Sequence, residues 1–235
     1  MPDSDENVAR LYDLKGVVYF ENDDYPKAIE ELKKAIQLNP RIPFVWRDRG
    51  VVLHKQKKYD EAIADLRQAI MLKDVPAHAF LGDVFYTQEK YDDAIAEYRE
   101  AIRLDRKNGA AHVRLGNVFY ALRKYDEAVD EYREAIRLDR KNGVAHASLG
   151  NVFYSQRKYD EAITEYREAV RLNTKLGHTL LGIALRAQGK IDEAIAEFRG
   201  AVRADSNDET ASKNLADILR DAPRVRESPA DNDPK

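Results

Sequence analysis

Three sets of side chains in this 235-residue sequence are of types that chemistry uses. Four histidines, His78, His112, His146 and His178, recur at intervals of 34, 34 and 32 residues, and imidazole is the commonest metal-ligating side chain. The segment Glu-Tyr-Arg-Glu-Ala-Ile-Arg-Leu occurs twice, from Glu97 and from Glu131. It joins carboxylates suited to general acid–base work with cations suited to phosphate binding. Asp83, Asn117 and Asn151 stand at matching places in a third repeated block, a carboxylate followed by two amides, each amide carrying both a donor and an acceptor.

The period that repeats these residues also decides their use. Zinc requires its ligands at about 2 Å from one ion. Histidines a whole repeat apart along a stack do not converge, so no metal is expected. The Glu-Tyr-Arg-Glu segments alternate charge along a helix, the pattern of a solvated face whose pairs contribute only about 0.2–0.5 kcal/mol each. Their interleaved glutamates repel phosphates, and 39 Lys and Arg against 42 Asp and Glu leave a net charge of −3, so nucleic acid is not an expected partner. No cysteine is present, nor any glycine-rich phosphate loop or hydrolase motif. No catalytic residue and no cofactor is expected.

The elements that must position the remaining candidates are legible in the period. Leu-Gly-Asn-Val-Phe-Tyr fills Leu115 to Tyr120 and again Leu149 to Tyr154, and Leu-Gly-Asp-Val-Phe-Tyr fills Leu81 to Tyr86. Gly16, Gly50, Gly82, Gly116, Gly150 and Gly182 mark six units, 34 residues apart except at two shorter steps that end at Gly82 and Gly182. A period in this range belongs to an array of stacked units. Within a unit, apolar residues recur twice at helical spacing, as in Leu115, Gly116, Phe119 and then Tyr125, Ala128, Val129, Tyr132, Ala135, Ile136, which predicts two amphipathic helices joined by a polar turn. Asp126-Glu127 and Asp160-Glu161 place negative charge where the second helix begins. Asn39-Pro40, Asn108-Gly109 and Asn142-Gly143 read as helix stops carrying a left-handed residue. After the sixth unit, Ala211, Leu215, Ile218 and Leu219 share one face of a helix, opposite Lys213, Asp217 and Arg220, as a polar-backed cap would. From Pro223 onward, prolines and charges without apolar period predict disorder. The acidic start and the lack of a long apolar run predict neither a secretory leader nor membrane insertion, and so a cytoplasmic protein.

Unit four reads His112, Leu115, Gly116, Phe119, Tyr125, Ala128, Tyr132, Ala135, and the chain thereby resembles the tetratricopeptide repeat family over about residues 9 to 208. Two departures stand out: His78, His112, His146 and His178 replace an aromatic that Tyr12 and Trp46 retain, and the closing proline survives only as Pro40. The resemblance implies an all-α fold, a right-handed α-solenoid of stacked antiparallel helix pairs whose first helices line a concave groove. It implies repeats at 9–42, 43–74, 75–108, 109–142, 143–174 and 175–208, after a flexible N-terminus at 1–8 and before a capping helix at 209–221 and a disordered tail at 222–235. Small residues such as Gly116 and Ala128 are then needed where the two helices of a unit meet.

By the same resemblance, the groove receives the residue after each motif glycine, namely Val17, Val51, Asp83, Asn117, Asn151 and Ile183, and the residue four after it, namely Phe20, His54, Tyr86, Tyr120, Tyr154 and Arg186. Asp83, Asn117 and Asn151 form a polar ladder similar to the asparagine ladder of some family members, with Tyr86, Tyr120 and Tyr154 beside it. Tyrosine gives contact area at low entropic cost, but at this position it can equally pack along the helix. Chaperone-binding members hold a terminal carboxylate with cations where this chain has Val113, Thr179 and Ile183, so a chaperone C-terminal tail is not the expected ligand. The resemblance implies a non-enzymatic adaptor that binds a peptide or helical segment of a protein partner and stays monomeric. The alternatives are a self-associating scaffold and a consensus-like array without a dedicated partner.

Overall fold

The computed structural model describes residues 4–221, which divide into two compact units, one ending at Arg140 and the other beginning at Lys141. The first unit holds four helix hairpins: α1 (Ser4–Glu21) with α2 (Tyr25–Leu38), α3 (Pro43–Lys55) with α4 (Tyr59–Met71), α5 (Pro76–Thr87) with α6 (Tyr91–Leu104), and α7 (Gly109–Ala121) with α8 (Tyr125–Leu138). The second holds α9 (Gly143–Ser155) with α10 (Tyr159–Arg171), α11 (Gly177–Ala187) with α12 (Ile191–Ala204), and the closing helix α13 (Glu209–Asp221). No strand occurs among the described residues. Each unit is an all-α solenoid, as the two-helix period predicts.

The second helices are amphipathic, with Ala28, Ile29, Leu32, Ala35 and Ile36 buried on one face of α2 and the same spacing in its counterparts. The alanine that opens this face, Ala28, Ala62, Ala94, Ala128, Ala162 or Ala194, is fully buried in every hairpin. Within the first unit α1 touches α3, α3 touches α5 and α5 touches α7, while no two second helices come comparably close. The first helices are therefore the tighter, inner side of that stack.

Helix ends differ from the sequence expectation in an instructive way. Asn108 and Asn142 do not stop a helix: each starts the next one, its side chain accepting from Ala111 N at 3.0 Å and from Ala145 N at 2.9 Å. Gly109 and Gly143 are then the first helical residues, and neither has a positive φ. The preceding helices end at an extended residue instead: Asn39 at φ −145°, Asp105 at −131° and Asp139 at −139°. Asparagine accepts from the backbone as readily as it tolerates the left-handed region, and here the exposed amides of the next helix took it. Left-handed residues sit in the turn inside each hairpin, at Asp23, Lys57, Glu89, Arg123, Arg157 and Gly189, and at the two shortened junctions, at Lys73 and Asn173. In those junctions Asp74 N donates to Ala69 O at 3.0 Å and Thr174 N to Ala169 O at 2.9 Å, a glycine-type helix cap built without glycine.

Helix α1 begins at Ser4, inside the segment expected to be flexible, with Asp5 and Glu6 in its first turn and Glu6 paired to Arg10 at 2.8 Å. At the other end Ala211 and Ile218 of α13 are buried and Leu215 packs against the second unit's core, whereas Leu219, expected on that face, is 48% exposed. The expected disordered tail at 222–235 lies outside the described residues.

Candidate functional site

The site is built from one contact that recurs in every hairpin. The residue sixteen after each motif glycine lies against it, so that a Cβ added to Gly82, Gly116 or Gly150 would stand 2.6, 2.7 or 2.6 Å from the ring of Tyr98, Tyr132 or Tyr166. Phe198 covers Gly182 at 2.7 Å, and Leu32 and Leu66 cover Gly16 and Gly50 at 2.7 and 2.8 Å. The ring is thereby fixed under the neighbouring ladder residue, on the inner side of the hairpin.

Its hydroxyl then meets the ladder. Tyr98 Oη donates to Asp83 Oδ1 at 2.8 Å, Tyr132 Oη to Asn117 Oδ1 at 2.7 Å and Tyr166 Oη to Asn151 Oδ1 at 2.7 Å. Burial, then the Asp83 carboxylate, raises the Tyr98 hydroxyl pKa, which keeps it a donor. Where the ladder position is apolar the covering residue loses its hydroxyl too: Ile183 goes with Phe198, Val17 with Leu32 and Val51 with Leu66. These partners fifteen residues on were not singled out from the sequence, although this matched change of polarity was there to be read.

The amide carbonyl of Asn117 thus accepts from within its own hairpin, which leaves its two N–H groups as the donors of the side chain. Asp83 differs. Arg114 Nε reaches both of its oxygens, at 2.9 and 3.1 Å, and the Arg114 guanidinium also lies 5.9 Å over the Phe80 ring. Asp83, Tyr86 and Asn117 line one cavity of about 380 Å³ together with His54, Thr87, Tyr98 and Arg114. His54 Nε2 stands 2.9 Å from Thr87 Oγ1, and burial lowers the pKa of this histidine. The cavity wall therefore offers amide and guanidinium donors around one carboxylate. Asn151 and Tyr154 belong to the second unit, where Tyr154 packs beside that unit's core.

The tyrosine row is a packing row as well as a surface. Tyr86 meets Tyr91 with centroids 5.9 Å apart, Tyr120 meets Tyr125 at 5.9 Å and Tyr154 meets Tyr159 at 5.5 Å, all tilted. Phe20 with Tyr25 and His54 with Tyr59 repeat the contact. Each pair closes the turn of its own hairpin, worth about 0.5–1.5 kcal/mol beyond area burial. Tyr86 keeps 36% of its surface exposed.

Each of the four repeated histidines is matched to a glutamate on the second helix of its own hairpin. His78 Nδ1 lies 2.7 Å from Glu97, His112 2.6 Å from Glu131, His146 2.7 Å from Glu165 and His178 2.7 Å from Glu197. Histidine here replaces the packing aromatic and gains a polar tether between helices. No described helix is long and apolar enough to cross a membrane.

Models of the tetratricopeptide repeat match residues 81–143, 120–177, 147–209 and 179–231, with further matches at 16–57 and 43–74. No curated protein sequence matches. Among solved structures, the anaphase-promoting complex hetero-tetramer Cut9–Hcn1 is similar at TM-score 0.74 and 19% identity over 90% of this chain, which spans 42% of that one. PilF of Pseudomonas aeruginosa is similar at TM-score 0.74 and 18% identity over 92% of this chain and 100% of its own. YrrB, described as a tetratricopeptide repeat protein with an unusual peptide-binding site, is similar at TM-score 0.56 and 18% identity over 79% of this chain and 97% of its own.

Proposed function

Because the chain belongs to the tetratricopeptide repeat family, whose fold generally serves protein–protein interaction, we propose that its first helices hold a peptide or helical segment of a partner protein at the cavity between Asp83 and Asn117. The observation that carries this reading is the bond from Tyr132 to Asn117. With the amide carbonyl accepting from Tyr132, the amide N–H groups are left as a donor pair suited to the carbonyl oxygens of a polypeptide whatever its side chains. Asn151 with Tyr166 repeats the device in the second unit, with Tyr154 as its aromatic contact, while Tyr86 and Tyr120 supply aromatic contact in the first. The protein acts without catalysis, as a cytoplasmic adaptor, and the six-repeat division with 209–221 as cap belongs to the same reading.

Two variants test it. Replacing Asp83, Asn117 and Asn151 with alanine should abolish capture of a native partner from lysate while the helical circular dichroism signal persists. Since this removes the ladder acceptor from three tyrosine hydroxyls, a second variant adds Tyr98→Phe, Tyr132→Phe and Tyr166→Phe to restore an apolar match. Undiminished capture by both removes the ladder from the mechanism.

One observation favours self-association as a second reading. Helix α1 turns Val8, Leu11, Leu14 and Val18 outward, each at least 40% exposed, along a single apolar stripe. Light scattering over a concentration range separates the readings, since the adaptor holds one mass.

A further inference from the structure

The inner side of the first unit changes character along its length. At the third and fourth hairpins it is polar, but at the first two the ladder positions are Val17 and Val51, and together with Phe20, Val52 and Phe80 they wall a second cavity of about 360 Å³. This is the small end of the range for ligand pockets, about 300–1,000 Å³, and suits an anchoring side chain better than a whole small molecule. Two acids edge this apolar wall, Glu21 and Asp48.

Behind that edge, negative charge is in excess. Arg47 pairs with Asp48 at 2.9 Å and with Asp74 at 3.0 Å, so one cation is shared by two carboxylates. Asp13 adds a third. It is 94% buried (6% exposed), lies four residues before Val17 on the same face of α1, and its Oδ1 has no hydrogen-bond partner. Buried carboxylate oxygens are ordinarily satisfied. An apolar pocket bordered by Glu21 and by Asp48, whose one cation is shared with Asp74, is complementary to a large apolar side chain with a positive charge next to it.

We propose that this cavity is a specificity subsite for a partner segment in which an aromatic or leucine-sized residue is followed by arginine or lysine. The apolar side chain seats between Val17, Val51 and Phe80, and the cation is drawn to Asp48 and Glu21. The proposal rests on the inner face being a peptide groove, but it concerns different hairpins from the polar ladder. Burial, then the Asp48 carboxylate, raises Asp13 to about 6, with Arg47 opposing. A cation arriving near these groups favours ionised Asp13, so binding at about pH 6 releases protons.

The test uses the full chain, isotope-labelled, and three capped peptides: Gly-Ser-Phe-Arg-Ser-Gly, Gly-Ser-Phe-Glu-Ser-Gly and Gly-Ser-Ala-Arg-Ser-Gly. The first should shift the amide resonances of Val17 and Val51 and bind about fivefold or more tighter than either control. Asp48→Asn should erase the advantage of arginine over glutamate. Val51→Asn, which installs the residue that the fourth and fifth hairpins carry at this position, should erase the advantage of phenylalanine over alanine. Equal binding of the three peptides, no shift at millimolar peptide, or unchanged preferences in both variants overturns the proposal. If the peptides fail while the ladder variants still lose their lysate partner, the subsite falls and the groove stands. If the peptides bind and the ladder variants keep their partner, the ladder falls while the subsite, and with it the inner face as a peptide groove, stands.

Discussion

Tyr132 covers Gly116 with its ring and donates its hydroxyl to Asn117 at 2.7 Å, so one side chain both closes the hairpin and orients the residue that faces the groove. Fold and candidate site are coupled through that single ring. Tyr132→Phe should keep the packing, lose one neutral hydrogen bond and lower stability by about 0.5–1.5 kcal/mol, read as a shift in the urea midpoint. Asn117 would then lose its fixed orientation and partner capture should weaken. Unaltered capture, with the stability loss present, would confine Tyr132 to a structural role.

Gly116→Ala places a methyl 2.7 Å from that ring, which is itself 1% exposed and has nowhere to retreat. Overpacking of this kind costs about 1–3 kcal/mol. The loss should appear in denaturant unfolding, and Gly189→Ala makes a poor control because Gly189 sits at φ +82°. Gly109→Ala is the better one, since its nearest foreign atom lies at 3.6 Å. A neutral Gly116→Ala would mean the hairpin opens more easily than its packing implies.

Arg123 holds φ 57° in the turn between α7 and α8, where the sixth hairpin has Gly189. A left-handed conformation costs a side-chain-bearing residue about 1–2 kcal/mol. The greater freedom of glycine in the unfolded chain returns about 0.4–1 kcal/mol of that. Arg123→Gly should therefore stabilise the protein by about 0.5–1 kcal/mol, measured by the urea midpoint, with no change in helix content.

Asp13 gives stability a pH dependence of unusual sign. Its folded pKa, about 6, lies above the ordinary 3.8, so between these values the folded chain binds more protons than the unfolded one. Stability from this group is present below about pH 4 and is lost as pH rises through about 6. At about 1.4 kcal/mol per pKa unit, the full effect is of the order of 2–3 kcal/mol. Asp13→Asn should raise stability at pH 7 and flatten the profile between pH 4 and 7. An unchanged profile would mean that Asp13 ionises freely in the folded protein.

The sequence by itself determined the architecture. Gly116 recurs at a period too short for a domain and right for a hairpin, and the apolar residues of α8 repeat at 3.6-residue spacing, both properties of local chain order. It also marked Asp83, Asn117 and Asn151 as a set, because position within a repeat is legible without coordinates. What only the tertiary structure decided is which half of each ladder side chain is spent inside the protein. The Tyr132 hydroxyl reaches Asn117 across a hairpin, fifteen residues on, and Arg114 reaches Asp83 from the next hairpin. The same holds for His112, which stands where the family resemblance implies a packing aromatic and which packing gave a partner in Glu131. Asn108 shows the limit in the other direction: its type fits both a helix stop and a helix start, and the unsatisfied amides of α7 decided between them.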